Sequence, residues 1–296
     1  MKILPRLGAG MLFFLALEAA FGQAQIEGRV DRNVVYGMVS GAALLMDVYY
    51  PEESNGHGIL YAQGSGWHAP TDYSARQLKD EYRISVNVPY LLDRGFTVFV
   101  ANYRLAPTFR YPAHIQDLRR AVRFIRANAD QFGVAAEPLG AYGTSAGANL
   151  VGLLAMQDGL GNSDSDDPVE RFSSKVQAAV IRCSGLDFTI ARGDTGVIAS
   201  YLGEPRTGTL PPFALSTLWI EASPMTYLSD EDPPVLITHA MDDPIASFEA
   251  AEIGFQELRD AGLDVEFIPR ETGGHCRGED QPHERIAEWL KEKLVN

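Results

Sequence analysis

Apolar runs of strand length recur along this chain with helix-length stretches between them, and this alternation restricts the possible folds severely. The runs are "GILYAQG" (58–64), "FTVFVANY" (96–103), "LGAYG" (139–143), "VQAAVIRCS" (176–184), "PPVLITHAM" (233–241) and "DVEFIPR" (264–270). Most are continuously apolar, as strands covered on both faces are. Between them, residues 83–94 have helical length and end at Gly95, a residue favoured just past a helix C-terminus. After Pro112 the period lengthens. Ile115, Leu118, Val122 and Ile125 form the stripe of an amphipathic helix, with the proline in its tolerated first turn. Phe248, Ala251, Phe255 and Leu258 mark a further helix that stops at Gly262, and Ile286, Trp289 and Leu290 mark the last one. At the front, "NVVYGMV" and "ALLMDVYY" read as a strand pair turning at Ser40-Gly41. Strands alternating with helices predict an α/β fold: a mostly parallel central sheet flanked by helices, in a single domain over 23–296.

Two stretches interrupt the alternation. Residues 185–232 are long and irregular, with Pro205, Pro211 and Pro212, and loops of that length in a compact domain are usually lids or binding loops. A cap or lid insertion is expected there. Its aromatic residues Phe188, Tyr201, Phe213, Trp219 and Tyr227 suit a specificity role or ordinary packing equally. Residues 157–174 are acidic and rich in Gly and Ser. Within them Asn162, Asp164 and Asp166 alternate like calcium ligands. Asp167, however, stands where such a loop needs glycine, and Ser173 where it needs a bidentate Glu. A solvated loop without a metal is the expectation.

The first residues, "MKILPRLGAGMLFFLALEAAFGQAQ", have the layout of an export signal. Lys2 and Arg6 precede a short apolar core, Met11 to Leu17, and small residues follow at Ala20, Gly22 and Ala24. That core is well short of the roughly 20 residues a spanning helix needs. Cleavage of residues 1–22 and a periplasmic or secreted mature protein are expected, with no stable membrane span. In such a compartment Cys183 and Cys276 can pair, although two buried thiols fit the sequence as well. A formal net charge of -14 argues against a nucleic-acid partner, since binding phosphates takes clustered Lys and Arg.

Chemistry concentrates at Gly143-Thr144-Ser145-Ala146-Gly147, a G-x-S-x-G placed after a strand and before a helix. In this setting the serine sits in a strained turn. Small neighbours let strand and helix approach closely, and the helix N-terminus faces any negative charge that develops there. A serine hydroxyl needs a base to take its proton, and the base needs an orienting acid. Both follow in chain order. Asp242 and Asp243 come after the run at 233–241, and His275 follows two glycines after the run at 264–270. His57 and His68 precede the serine, while His114, His239 and His283 lie on predicted helices or a strand, so structural roles are expected for all of these. Backbone N–H donors for an oxyanion are expected from Ala146 and from the loop "AQGSGWHAP", and Trp67 and Thr144 are expected to touch substrate.

The chain resembles the α/β-hydrolase carboxylesterases related to hormone-sensitive lipase and the bacterial feruloyl-esterase-like proteins. The matching pieces are "VVYG", "LLMDVYYP", "GSGW", "ANYRLAP", "YPAHIQDLRRAVRFIRANADQFGV", "GTSAGANL", "ASPMTYLSDEDPPVLITHAMDDP" and "GGH", spread over roughly residues 33 to 293. The resemblance implies a Ser145–His275–Asp243 triad, with Asp242 as the lesser candidate for the acid. It also implies an oxyanion hole from the N–H groups of Gly64, Ser65 and Ala146, and needs no metal or organic cofactor. Asn102, Tyr103, Arg104 and Asp117 match positions that brace such a site, here as a buried ion pair. Where relatives show H-G-G-G-W this chain has Gln63-Gly64-Ser65-Gly66-Trp67, and His239-Ala240 replaces their H-G. Backbone donors survive such changes, so the substrate range is what they affect. The implied substrates are short-chain acyl esters or acetylated and feruloylated carbohydrate esters, and the activity is expected to rise as the histidine loses its proton. A peptidase or other acyl hydrolase with the same triad is the competing enzyme. A non-catalytic binding protein of this fold is the other alternative, one that normally lacks a triad member.

Overall fold

The computed structural model describes residues 26–191, 195–206, 215–277 and 281–295. The N-terminal segment expected to be an export signal, and Phe213, lie outside them. Eight strands of the described chain form one sheet: β1 (Val30–Val39), β2 (Ala42–Tyr49), β3 (Gly58–Ala62), β4 (Thr97–Ala101), β5 (Leu139–Thr144), β6 (Ala178–Arg182), β7 (Val235–Ala240) and β8 (Val265–Arg270). Their order across the sheet is β1-β2-β4-β3-β5-β6-β7-β8. β1, β2 and β4 pair antiparallel, and every pairing from β4–β3 to β7–β8 is parallel. Strands β3 to β7 are buried throughout, which is why their sequences are continuously apolar.

The helices are α1 (Tyr82–Leu92), α2 (Ala113–Ala127), α3 (Ala129–Phe132), α4 (Ala146–Met156), α5 (Gly196–Leu202), α6 (Thr217–Glu221), α7 (Phe248–Asp260) and α8 (His283–Leu294). One face of the sheet packs on α1 and α8 through Ile84, Val88, Leu91, Ile286, Trp289 and Leu290. The opposite face carries the larger core, with α2, α4 and α7 contributing Leu118, Val122, Leu150, Leu153 and Leu258. Helix α4 is buried along its whole length, in keeping with a sequence apolar all round. The sequence read as irregular over 185–232 contains α5, α6 and a 3₁₀ turn at Pro224–Tyr227. These elements are too short to display a helical period.

Because β3, β5, β7 and β8 all run the same way, their carboxyl ends share one edge of the sheet. The loops that follow them hold Ser65, Ser145, Asp243 and His275, and in open α/β sheets that edge is where ligands bind.

Candidate active site

Ser145 caps α4 with φ 52° and ψ −123°, a backbone conformation that costs a non-glycine residue about 1–3 kcal/mol. The surroundings hold it there. Its N–H donates to the Arg182 carbonyl at 2.8 Å. The flanking glycines admit the close packing of the turn: a Cβ at Gly143 would overlap the Gly147 carbonyl, and one at Gly147 would overlap the Ala62 carbonyl at the end of β3. Strand, helix and the loop after β3 can meet this closely only without side chains.

Ser145 Oγ lies 2.7 Å from His275 Nε2, and His275 Nδ1 lies 2.9 Å from Asp243 Oδ2. The two aspartates divide the work. Asp242 accepts the N–H groups of Gly273 and Gly274 at 3.3 and 2.7 Å, holding the turn before His275. Asp243 reaches the imidazole itself and also accepts the N–H groups of Ile245 and Ala246 at 2.8 and 3.0 Å. Its side chain is fully buried, whereas that of His275 is 14% exposed. Burial pushes the Asp243 carboxyl up, but hydrogen bonds from His239, His275 and the Ala246 amide outweigh this and hold it well below the usual carboxylate range.

Two contributors escaped the sequence reading. His239, in β7 as expected, places Nε2 3.1 Å from Asp243 Oδ2. Arg182, at the end of β6, is 2% exposed; it donates to Asn87 Oδ1, Tyr142 Oη and the Cys276 carbonyl at 2.8, 3.1 and 3.2 Å. The signal for it was a lone cation inside the apolar run "VQAAVIRCS". Beside it Cys183 and Cys276 form a disulfide with Cα atoms 5.7 Å apart, so the residue after His275 is bonded to the residue after Arg182.

The loop after β3 departs from expectation in three places. The Gly64 N–H is turned to Thr144 Oγ1 at 3.1 Å and is satisfied inside the protein. Thr144, expected to touch substrate, is 1% exposed; its hydroxyl takes that amide and donates to Gln63 Oε1 at 3.3 Å. Trp67, also expected to touch substrate, is 6% exposed and stacks on Tyr201 of α5 with ring centres 4.6 Å apart. Phe188 meets its edge at 5.6 Å. Thr144, at the end of β5, and Trp67, in the loop, are therefore packing residues, and Phe188 and Tyr201 of the 185–232 segment pack on the loop through Trp67. Gln63 is buried and accepts from Tyr61 Oη and, at its carbonyl, from Tyr103 Oη at 3.0 and 2.7 Å. Ser65 is exposed, and neither its N–H nor that of Ala146 is donated to another group among the described residues.

The remaining histidines lie elsewhere. His114 is fully buried, donates to the Trp67 carbonyl and has its pKa lowered to about 4 by burial. His68 bridges the Gly66 carbonyl and Ser200 Oγ, and His283 stacks on Tyr90. Arg104 and Asp117 form the expected buried ion pair at 2.8 Å, and Asp167 caps Val169 and pairs with Arg120. Among the described residues no cluster of His, Cys, Asp and Glu is disposed to hold a metal, and no described helix is long and apolar enough to cross a membrane. A cavity of about 500 Å³ lined by Asp187, Thr189, Met225 and Glu257 contains none of the groups around Ser145.

A mostly parallel sheet of this order, with a serine at the β5–α4 turn, an aspartate after β7 and a histidine after β8, defines an α/β-hydrolase. More narrowly, the chain belongs to the BD-FAE family, whose model matches residues 46–258. It is 28% identical over 171 residues to the probable carboxylic ester hydrolase LipM of Mycobacterium tuberculosis, a match covering 57% of this chain and 39% of LipM. The chain thus spans about two fifths of the length of that relative. Among solved structures, a truncated carbohydrate esterase from gut microbiota superposes with a TM-score of 0.75 at 22% identity, over 91% of this chain and 97% of that one. The acetyl ester-xyloside bifunctional hydrolase of Caldicellulosiruptor lactoaceticus superposes with a TM-score of 0.69 at 23% identity, over 84% and 88% of the two chains. At such identities these likenesses establish the fold.

Proposed function

We propose that this protein is an exported serine esterase that cleaves carboxylic esters, with short-chain acyl groups on carbohydrates as its substrates. The observation that carries this reading is the unbroken chain from Asp243 to His275 to Ser145, at 2.9 and 2.7 Å. Ser145 Oγ attacks the ester carbonyl carbon while His275 Nε2 takes its proton, and Asp243 balances the imidazolium that results. The carbonyl oxygen becomes an oxyanion facing the Ser65 and Ala146 N–H groups. Collapse breaks the ester C–O bond, and the departing alcohol leaves with the proton held by His275. Water, activated by the same imidazole, then hydrolyses the acyl-enzyme. Gly64, with its amide on Thr144, shapes this hole instead of donating to it.

Carbohydrate esters are favoured by the two structural neighbours described as acting on such esters. Export is supported by the signal-like N-terminus and by the disulfide, a bond suited to an oxidising compartment. In this reading α5 and α6 form a cap over the acyl or alcohol subsite, supported by the packing of Tyr201 on Trp67 and of Trp219 on Phe188.

A fluorophosphonate probe tests the chemistry. Labelling confined to Ser145, and loss of hydrolysis of at least about a thousandfold in Ser145→Ala, are expected. Folded protein that stays unlabelled, or a Ser145→Ala variant with full activity, would overturn the reading. Acetylated and feruloylated oligosaccharides, compared with nitrophenyl esters of increasing chain length, test the substrate class.

A further inference from the structure

Asp243 is shared between two imidazoles. Its Oδ1 takes the backbone N–H groups of Ile245 and Ala246, and its Oδ2 takes His275 Nδ1 at 2.9 Å and His239 Nε2 at 3.1 Å. Both side chains of the second pair, His239 and Asp243, are completely buried. The Ala246 carbonyl also faces His239 Nε2 at 3.1 Å. Two acceptors facing one nitrogen require that nitrogen to carry a proton. Nδ1 is buried without a partner among the described residues. An unpaired buried polar atom is unfavourable, and an apolar ring of similar size would fill the space without it. What imidazole adds at this position is an N–H that donates to the Ala246 carbonyl and sets its positive end 3.1 Å from the carboxylate oxygen. Phe248, edge-on to the ring at 6.1 Å, prevents His239 from swinging away.

We infer that His239 is a positioning residue for the triad acid, holding the plane and the charge of Asp243 so that Oδ2 faces His275. This inference rests on the esterase reading above. Without His239 the carboxylate keeps its two backbone donors but loses one of the two donors on the oxygen that meets His275. A carboxylate with fewer donors is more basic, and its plane is freer to rotate about the Oδ1 anchor. Both effects act on His275 through Asp243, the charged group paired with His239 among the described residues. The Cys183–Cys276 disulfide, on the neighbouring β6 edge, is neutral.

The experiment compares wild type, His239→Phe and His239→Gln in steady-state hydrolysis of a small acyl ester across pH. Fluorophosphonate labelling of wild-type Ser145 is run alongside, and far-UV circular dichroism and thermal melting certify the fold of each variant. In His239→Phe, kcat is expected to fall roughly ten-fold or more with KM little changed, and the acid limb of kcat/KM to move to higher pH. In His239→Gln, whose amide can donate to the same oxygen, most of kcat and the wild-type pH profile are expected to return. A folded His239→Phe enzyme with wild-type kcat and an unmoved acid limb would overturn the inference. Equal losses in the Phe and Gln variants would overturn it too. If His239→Phe does not fold, His239→Asn, whose amide is too short to reach Asp243, takes its place beside His239→Gln under the same criteria. Failure of the probe to label folded wild-type protein would instead remove the esterase reading, so the two failures are distinguishable.

Discussion

Asp242 and Asp243 are adjacent, chemically identical and placed on the same loop, and separating them takes geometry. The turn sends Asp243 inward beneath the imidazole and Asp242 along the loop, onto the amides of Gly273 and Gly274. Asp243→Asn is expected to lower kcat/KM by about three to four powers of ten, because a neutral amide neither balances an imidazolium nor selects the tautomer. Asp242→Asn keeps an acceptor for one of the two amides and should cost about ten-fold or less. Steady-state kinetics on one nitrophenyl ester separates them, and equal losses would refute the division of roles. The same scale shows why Thr144 and Trp67 were misread. Both neighbour site residues in the sequence, but successive strand residues face opposite sides, and Thr144 points back toward Gln63. Trp67, with φ 60°, turns its ring away to Tyr201. Chain adjacency locates a site without saying which side chains face it. Ser145 and His275 were legible because glycine turns announce them. His239 and Arg182 were not: both stand inside apolar strand runs, where the sequence shows neither that the loop after β7 folds back onto His239 nor that Arg182 meets Asn87 and Cys276.

Among the elements, those that place the site were readable from a helical period, an unbroken apolar run or the G-x-S-x-G turn that opens α4. The buried strands β3 to β7 and helices α2, α4 and α7 are of this kind, while α5 and α6 hold seven and five residues and could not be. What no single element reveals is the attachment of the His275 turn to the end of β6. Two contacts join them: the Cys183–Cys276 disulfide and the Arg182 guanidinium on the Cys276 carbonyl. That Arg182 carbonyl also receives the Ser145 N–H, so nucleophile and base hang from one residue. Opening the disulfide should therefore loosen the base more than the rest of the fold. With cysteines 93 positions apart, the loss of chain constraint should lower stability by about 2–4 kcal/mol. Treatment with a dithiol reductant, or a Cys183→Ala/Cys276→Ala double variant, is expected to reduce kcat several-fold at nearly constant KM, with a lower melting temperature. A reduced enzyme with unchanged kcat would assign the bond to stability alone.

At the scale of the whole molecule, both faces of the sheet bury a histidine that must stay neutral. His114 lies under the Trp67 loop on one face and His283 starts α8 on the other, and burial lowers the pKa of each to about 4 from 6.5. An unfolded chain protonates these imidazoles first. Between pH 6.5 and 4 the unfolded state therefore binds more protons, and folding stability must fall as the pH falls through that window. Above it their stabilising effect is complete, and below it no further loss comes from them. The burial-raised carboxyls of Asp117 and Asp232 act in the opposite sense, since the folded state takes up their protons more readily. Asp243, held far below its usual range, stays ionised throughout the window. The histidine part is isolated by difference. Urea unfolding of wild type and His114→Gln from pH 7.5 to 4.5 should give curves that converge toward acid, with the gap closing by on the order of 1–3 kcal/mol. Curves that stay parallel would mean that His114 takes up its proton within the folded protein, and that the aromatic packing around the Trp67 loop admits a charge.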